Sequence, residues 1–521
     1  MTDSPGPALP PNGGARLRAA LMAAGWTADA VLDVLGPAAQ AALERGEGVP
    51  GLLHTARPEV AGTPVATLVR LFLLQTDVAE EDLAAALRGF EVDELVAAGI
   101  VERAAGGVRA VVDIRPYGTD DGPEGGWYVT GDLDTRLDVS RRLGREVRQD
   151  HVLGVGGASA TLAQLVPRTP VRRALDLGTG GGVQVLHLSR HAGEVVATDV
   201  LPRALAFARL TADLNGIEVD LRLGDLLDPV RDERFDLVVS NPPFVIGAPD
   251  VHTYRDAGLP LDTLGARLLA EVPPLLEPGG LFVMIGDWVR LAGEPAHDRV
   301  RQWLPETGFD AVVVVRDEED PAAYVSTWLR DAGEHTAPDA LERYERWLSG
   351  LLAADVAAVE FGWVLVRRND GGPARTEVLD WPHPVEQPVG PWLVARLDAV
   401  TTLAGLDDDS LLAGPLALRA DVTQEQHGRP GEEDPETVVF RQARGLREAR
   451  TVSAEAAGIC GAVDGTIPLG VLVQAVAAVL EEDGKALAER VVPEVRDLVR
   501  RGFLTLPWAA EATAPATGPP G

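Results

Sequence analysis

The sequence predicts an α/β fold: a doubly wound parallel sheet, flanked by a helical N-terminal module and a mixed α/β C-terminal region. Three observations lead there. Between Val171 and Asp287, short runs rich in Val, Leu and Ala alternate with helical patterns at the spacing of βα units. The glycine-rich stretch Gly178-Thr179-Gly180-Gly181-Gly182 follows the first such run directly. Further on, the apolar run Leu237-Val238-Val239-Ser240 stops abruptly at Asn241-Pro242-Pro243-Phe244. Proline donates nothing to a ladder and biases its predecessor toward an extended backbone. The run therefore reads as a buried parallel strand, and the tetrapeptide as the turn that leaves it. In open α/β sheets ligands bind at the carboxyl ends of strands, which puts Asn241 to Phe244 at the edge of a cleft.

A chain of 521 residues predicts roughly two to four domains. A hydrophobic fraction of 46% is ample for a core, and no apolar run approaches the ~20 residues that span a bilayer. The segment Met1–Gly14 lacks the basic start and apolar stretch of a secretory signal, so a cytoplasmic protein is expected, with no membrane partner. The single cysteine, Cys460, excludes an internal disulfide framework and a cysteine-based zinc site. Net charge is −32, and Lys485 is the only lysine. Such acidity suits a basic protein partner better than a phosphate backbone.

In chain order, residues 1–14 and 509–521 read as disordered tails. Residues 15–145 form a helical domain: Thr63 caps a helix with Pro64 in its first turn, and a second follows at Glu80–Leu87. A third helix ends near Gly99, and a strand pair is expected over Val108–Ile114. Three helices and a hairpin predict a winged-helix-like module, and the stretch from Pro468 to Gly502 repeats that grammar. Winged helices can read DNA, but many serve only as packing or protein-contact modules. The central domain, 146–370, should contain strands at Val171–Leu177, Glu194–Thr198, Glu218–Leu223, Phe235–Ser240, Gly280–Asp287, Asp310–Arg316 and Val359–Arg368. A helical insertion near 320–356 carries Trp328, Tyr344 and Trp347. The last domain, 376–508, is mixed, and no assignment follows for Trp381–Asp464.

The chemistry-bearing residues sit at the expected strand ends. Glycines after the first strand permit positive φ and close approach of a ligand to the backbone. Asp199 closes the second strand, where a carboxylate can accept both hydroxyls of a ribose; an isolated aspartate there is more often a cap or turn former. Asp225 ends the third strand, suited to accept from an adenine amino group, with Leu226 against the ring.

The series Asp176-Leu177-Gly178-Thr179-Gly180, Asp199, Gly224-Asp225 and Asn241-Pro242-Pro243-Phe244 resembles the class I S-adenosylmethionine-dependent methyltransferases. Within them it resembles the Asn-Pro-Pro-Phe/Tyr group, which methylates planar amide or ring-attached nitrogen. That group includes HemK-type protein-glutamine, adenine N6 and small-subunit rRNA guanine N2 enzymes. The resemblance covers about Leu153–Val315 and implies a Rossmann-like, seven-stranded methyltransferase sheet. It implies S-adenosyl-L-methionine as cofactor, with Asp176 near its methionine end and Gly178, Thr179 and Gly180 lining it. Asp199 would hold the ribose and Asp225 and Leu226 the adenine. Asn241 and the Pro242 carbonyl would accept from the substrate NH2, Pro243 would stiffen the turn, and Phe244 would stack on the substrate plane.

An amide or exocyclic amine has a delocalised lone pair and is a poor nucleophile. Acceptors on both N–H bonds favour a more tetrahedral nitrogen whose lone pair can meet a sulfonium methyl. This chemistry calls for no metal and no strong general base, because the product nitrogen is cationic and acidic. The first expectation is a macromolecular substrate, a glutamine side chain of a translation-related protein. An adenine or guanine in RNA or DNA is the second, and a small metabolite the third. The rival from another class is a non-catalytic nucleic-acid-binding regulator built on the flanks. Weaker candidates are His151, Gly154, Gly156 and Gly157 beside the cofactor, and Tyr254-Arg255-Asp256 as a lid. His187 and His191, spaced like a metal pair, are expected to be exposed structural histidines. Trp288 is expected in the core or at its rim.

Overall fold

The computed structural model describes residues 6–119, 122–138, 148, 150–243, 245–247, 261–430 and 435–508. Helices α1 (Gly13–Ala23), α2 (Ala28–Glu44) and α3 (Val49–Thr55) open the chain. Residues 6–14 depart from the expected disorder: Ala8 N–H donates to the Ala98 carbonyl at 3.0 Å, and α1 begins at Gly13. Helix α4 (Pro64–Leu68) has the expected cap, Thr63 accepting from Ala66 N–H at 3.3 Å. Helices α5 (Glu80–Ala86) and α6 (Val92–Ala97) follow, then the hairpin β1 (Val101–Ala104) and β2 (Gly107–Ala110). The hairpin lies earlier than Val108–Ile114 because Ala105 and Gly106 make the turn and Gly107, at φ 122°, starts the return strand. Val78 adds a bridge to Val108. A second hairpin, β3 (Val112–Tyr117) with β4 (Trp127–Asp132), was not read from the sequence.

Helix α7 (Gly157–Leu165) leads into β5 (Val171–Leu177), α8 (Val183–Leu188), β6 (Ala192–Asp199), α9 (Pro202–Asn215), β7 (Asp220–Leu223) and β8 (Phe235–Ser240). Then come α10 (Thr263–Glu271), β9 (Leu276–Leu291), α11 (Asp298–Trp303), β10 (Thr307–Glu319), α12 (Pro321–Asp331), α13 (Ala340–Ala353) and β11 (Val356–Pro373). These strands lie in the order β10-β11-β9-β8-β5-β6-β7, and the strand Arg375–Asp380 follows β10 at the edge, so the sheet has eight strands where seven were expected. The pairs β6/β7, β5/β6, β5/β8 and β8/β9 are parallel, and β11 runs antiparallel to β9. All seven expected strands are present. The last three run several residues past their expected bounds, and β9 and β11 pair antiparallel up to Leu291 and Val356.

The chain splits into two compact units. The first takes Met1–Ala163, Arg168–Pro305 and Val314–Asp370, so the N-terminal helices and most of the central sheet cluster together. Helix α9 explains this. Its Ala204, Phe207, Leu210 and Leu214 belong to one core cluster with Leu21, Trp26, Phe72 and Leu95. Polar contacts fix the same seam: Asn215 accepts from Tyr128 N–H at 3.0 Å and donates to the Tyr128 carbonyl at 2.7 Å. Thr130 of β4 donates to the Phe207 carbonyl at 3.0 Å.

The second unit takes Gln164–Pro167, Glu306–Val313 and Gly371–Gly521. Within it, β12 (Arg375–Asp380) precedes α14 (Gly390–Ala404), α15 (Asp408–Ala413), β13 (Pro415–Leu418), β14 (Val422–His427), β15 (Thr437–Gln442) and β16 (Ala449–Val452). Helix α16 (Ala454–Cys460), β17 (Asp464–Pro468), α17 (Leu469–Leu480), α18 (Gly484–Arg500) and β18 (Leu504–Thr505) close the unit. Among its described residues, the stretch Trp381–Asp464 thus holds three helices and four strands. Arg396 is buried between Glu377, at 2.6 Å, and Glu448, at 3.1 Å, an arrangement no local pattern announces. No single helix among the described residues is long and apolar enough to cross a membrane.

Candidate methyl-transfer site

The register of the parallel strands gathers the motifs. Leu223 pairs with Asp199, Thr198 with Leu177, Leu177 with Ser240, and Ser240 with Met284. The four turns that follow therefore emerge side by side at one edge of the sheet. The chain reverses its build direction between β5/β6 on one side and β8 on the other, the switch point where such sheets form a crevice.

The glycine turn is shaped by distinct demands. Gly178 and Gly180 have φ of 75° and 54°, and a Cβ on either would meet nothing within 4 Å, so both border open space. Gly181 is constrained by packing instead: a Cβ there would stand 2.6 Å from the Thr130 carbonyl of β4. The Gly178 and Thr179 amides both donate to the Thr198 carbonyl, at 3.0 and 2.9 Å, which ties the turn to the second strand.

Two carboxyl groups face this turn. Asp176 is buried and accepts from the Thr179 hydroxyl at 2.7 Å. Burial pushes its pKa up to about 7, with the Asp199 charge adding to the rise and the Thr179 hydrogen bond opposing it. Asp199 accepts from Gly180 N–H and Leu201 N–H, each at 2.9 Å. Burial raises its pKa too, against those backbone hydrogen bonds. Asp225 differs. Its side chain is 60% exposed and 3.7 Å from Arg267, and Leu226, at φ 44°, is half-buried.

At the end of β8, Asn241 donates through Nδ2 to Ser159 Oγ on α7 at 3.2 Å. Its Oδ1 is buried with no hydrogen-bond partner among the described residues. That bond fixes the amide's sense and leaves an acceptor uncommitted. Ser159 is held in turn, its carbonyl accepting from Gln184 Nε2 at 2.8 Å. Ser159 and Gln184 were not singled out from sequence; the nearby Gly154–Gly157 was the only local signal. Pro242 and Pro243 line a recess of about 20 Å³ with Met284, Gly286 and Asp287. Phe244 and the stretch Tyr254–Asp256 lie outside the described residues.

Beyond the turn, Ile246 is held on both sides of its backbone. Its N–H donates to Tyr324 Oη at 2.8 Å, and its carbonyl accepts from Trp347 Nε1 at 2.8 Å. Tyr324 donates to Asp287 Oδ2 at 2.8 Å. Burial pushes the Asp287 carboxyl well above the usual carboxylate range, while the Tyr324 hydrogen bond pulls it down. The weaker candidates separate. His151 is buried, 3.9 Å from Asp132, which also pairs with Arg203. His187 is buried, not exposed: Tyr117 Oη lies 3.0 Å from its Nε2 and Arg168 3.2 Å from its Nδ1. Trp288 lies in the core, donating from its indole N–H to Glu360 at 2.5 Å.

The same segment stands out in comparison with known proteins. Residues 154–287 match the methyltransferase small domain, and residues 23–111 match a domain of unknown function, DUF7059. The chain is 36% identical over 163 residues to a release factor glutamine methyltransferase of Xylella fastidiosa, covering 28% of this chain and 56% of that one. It is 30% identical over 187 residues to a ribosomal protein uL3 glutamine methyltransferase of Bradyrhizobium diazoefficiens, covering 33% and 58%. Similarity to a ribosomal RNA small subunit methyltransferase C of Alcanivorax borkumensis is 30% over 152 residues, covering 29% and 39%. The chain thus spans about half the length of these relatives. Residues 154–287 thus form a methyltransferase small domain, which supports an S-adenosylmethionine-dependent methyltransferase similar to the HemK-type glutamine enzymes.

Proposed function

We propose that this chain transfers a methyl group from S-adenosylmethionine to a planar amide or exocyclic amine nitrogen, with the side chain of a protein glutamine as acceptor. The observation that carries the reading is the buried, uncommitted Oδ1 of Asn241 at the end of β8. A buried acceptor without a donor costs about 1–3 kcal/mol, a cost that a substrate N–H would offset. When bound, the cofactor supplies an electrophilic methyl on a positive sulfur.

In this reading Gly178 and Gly180 let the cofactor approach the backbone, Asp176 faces its cationic methionine end, and Asp199 accepts its ribose hydroxyls. Asp225, exposed and beside Leu226, is available to the adenine. Asn241 Oδ1 and the Pro242 carbonyl accept the two N–H bonds of the acceptor, drawing its nitrogen toward a tetrahedral shape. Pro243 restricts the turn, and Phe244 supplies the stacking face, worth ~0.5–1.5 kcal/mol for typical aromatic pairs. Bound beside this turn, S-adenosylmethionine would supply the methyl for a nitrogen held by Asn241 and the Pro242 carbonyl, and the methylated, cationic nitrogen would give its proton to water. In-line positioning contributes most of the acceleration.

Two of the relatives are named for glutamine, and the net charge of −32 favours a basic protein over a phosphate backbone. A guanine or adenine in RNA is the reading to test against it, since another relative is named for ribosomal RNA. The discriminating experiment incubates the protein and methyl-labelled cofactor with lysate from a deletion strain. Label that survives RNase and is lost to protease supports glutamine. Label lost to RNase supports the nucleic acid.

A further inference from the structure

We propose that the two helices inserted between β10 and β11 belong to the acceptor site. Tyr324 of α12 and Trp347 of α13 pin the backbone of Ile246, and Asp287 of β9 orients Tyr324. The insertion thereby sets the path of the chain leaving Asn241-Pro242-Pro243, and with it which acceptor is admitted. This rests on the reading of Asn241 as the acceptor clamp.

Four observations combine. Residues 245–247 belong to no helix or strand, yet both polar backbone groups of Ile246 are satisfied, each by a side chain from a different insertion helix. All four participants are buried, with Ile246 at 1%, Tyr324 at 0%, Trp347 at 3% and Asp287 at 5% exposure. The phenol has a single proton, which it donates to Asp287 Oδ2. Its lone pairs are thereby directed to Ile246 N–H, so the carboxyl fixes the polarity of the contact. Finally, β9 runs past the last β8 pair, Ser240 with Met284, and carries Asp287 to the recess it lines with Pro242 and Pro243. The same carboxyl that orients Tyr324 thus borders the acceptor turn. Val245, Ile246, Tyr324 and Trp347 share one apolar cluster, and the Tyr324 and Trp347 rings meet edge-on at 6.2 Å. Tyr324 and Trp347 are positioning residues. They act on the acceptor through the backbone of Ile246.

The test uses the full chain, with Tyr324→Phe and Trp347→Phe as variants and Tyr344→Phe, on the same helices, as a control. Amide hydrogen exchange should be at least tenfold faster at Ile246 in Tyr324→Phe, while β5 amides exchange as in wild type. In methyl-transfer assays on deletion-strain lysate, the apparent KM for acceptor should rise at least fivefold, with the cofactor Kd within twofold by calorimetry. Unchanged exchange at Ile246 overturns the proposal. So does an increase shared equally by β5, which marks global loosening, or faster exchange at Ile246 with an unchanged acceptor KM. If wild type transfers no label, the methyl-transfer reading fails, while exchange still decides whether the clamp exists.

Discussion

At the scale of single residues, Asp176 and Asp199 are the two carboxyls held against the glycine turn, and burial raises the pKa of both. A carboxyl held up to about 7 in the folded protein binds its proton more tightly than in the unfolded chain, where the value is ~3.9. The stability contributed by Asp176 is therefore full below about pH 4 and is lost as pH climbs through 7. Asp176→Asn stays neutral throughout, so its thermal midpoint should fall less than wild type between pH 5 and 8. A cationic ligand favours the ionised carboxylate. Cofactor binding should release a proton below pH 7 and tighten as pH rises to 7, measured by calorimetry in buffers of different ionisation enthalpy. Asp176→Asn should show both effects reduced, leaving only what Asp199 contributes. Asp199→Ala should lose cofactor binding altogether, and wild-type affinity in that variant would refute the ribose assignment. Its loss also strands the Gly180 and Leu201 amides, at a cost of about 1–3 kcal/mol each where they are buried. Both aspartates and Asn241 were legible in the sequence because strand ends and glycine turns are local patterns. Ser159 was not, since its contact with Asn241 spans 82 residues and leaves no periodic trace.

At the scale of elements, α9 joins the N-terminal helices to the sheet. Its Phe207 is fully buried in the cluster that also contains Trp26 and Phe72. Phe207→Ala should cost about 3–5 kcal/mol in urea unfolding, while Leu223→Ala, at a side chain 57% exposed, should cost under about 0.5. Because that cluster is shared, tryptophan and secondary-structure signals of the first unit should shift together in Phe207→Ala. The strands were legible from their apolar runs, but their ends were not: β9 continues to Leu291 through Asp287 and Arg290 because β11 pairs with it along its length. The β3/β4 hairpin leaves no clear pattern in the sequence because its strands frame a Gly/Pro-rich stretch that reads simply as loop. The insertion helices were legible as helices. Their grip on Ile246 was not, because tertiary hydrogen bonds from Tyr324 and Trp347 carry no sequence period.

Across the whole molecule, the match to the methyltransferase small domain covers about a quarter of the chain, and the match at residues 23–111 names no activity. A winged-helix-like module at each end remains our reading: α4, α5, α6 and the β1/β2 hairpin in the first unit, and α17, α18 and β18 in the second. The chain's net charge of −32 argues against phosphate neutralisation, and we propose that these modules present a basic protein acceptor. The claim on which everything else depends is that Asn241 clamps an acceptor nitrogen beside the cofactor. The most direct measurement compares wild type and Asn241→Ala for cofactor affinity by calorimetry and for label transfer to deletion-strain lysate. We predict affinity within about twofold and transfer reduced at least about a hundredfold, the scale of losing one transition-state hydrogen-bond partner. Undiminished transfer by Asn241→Ala would contradict the account.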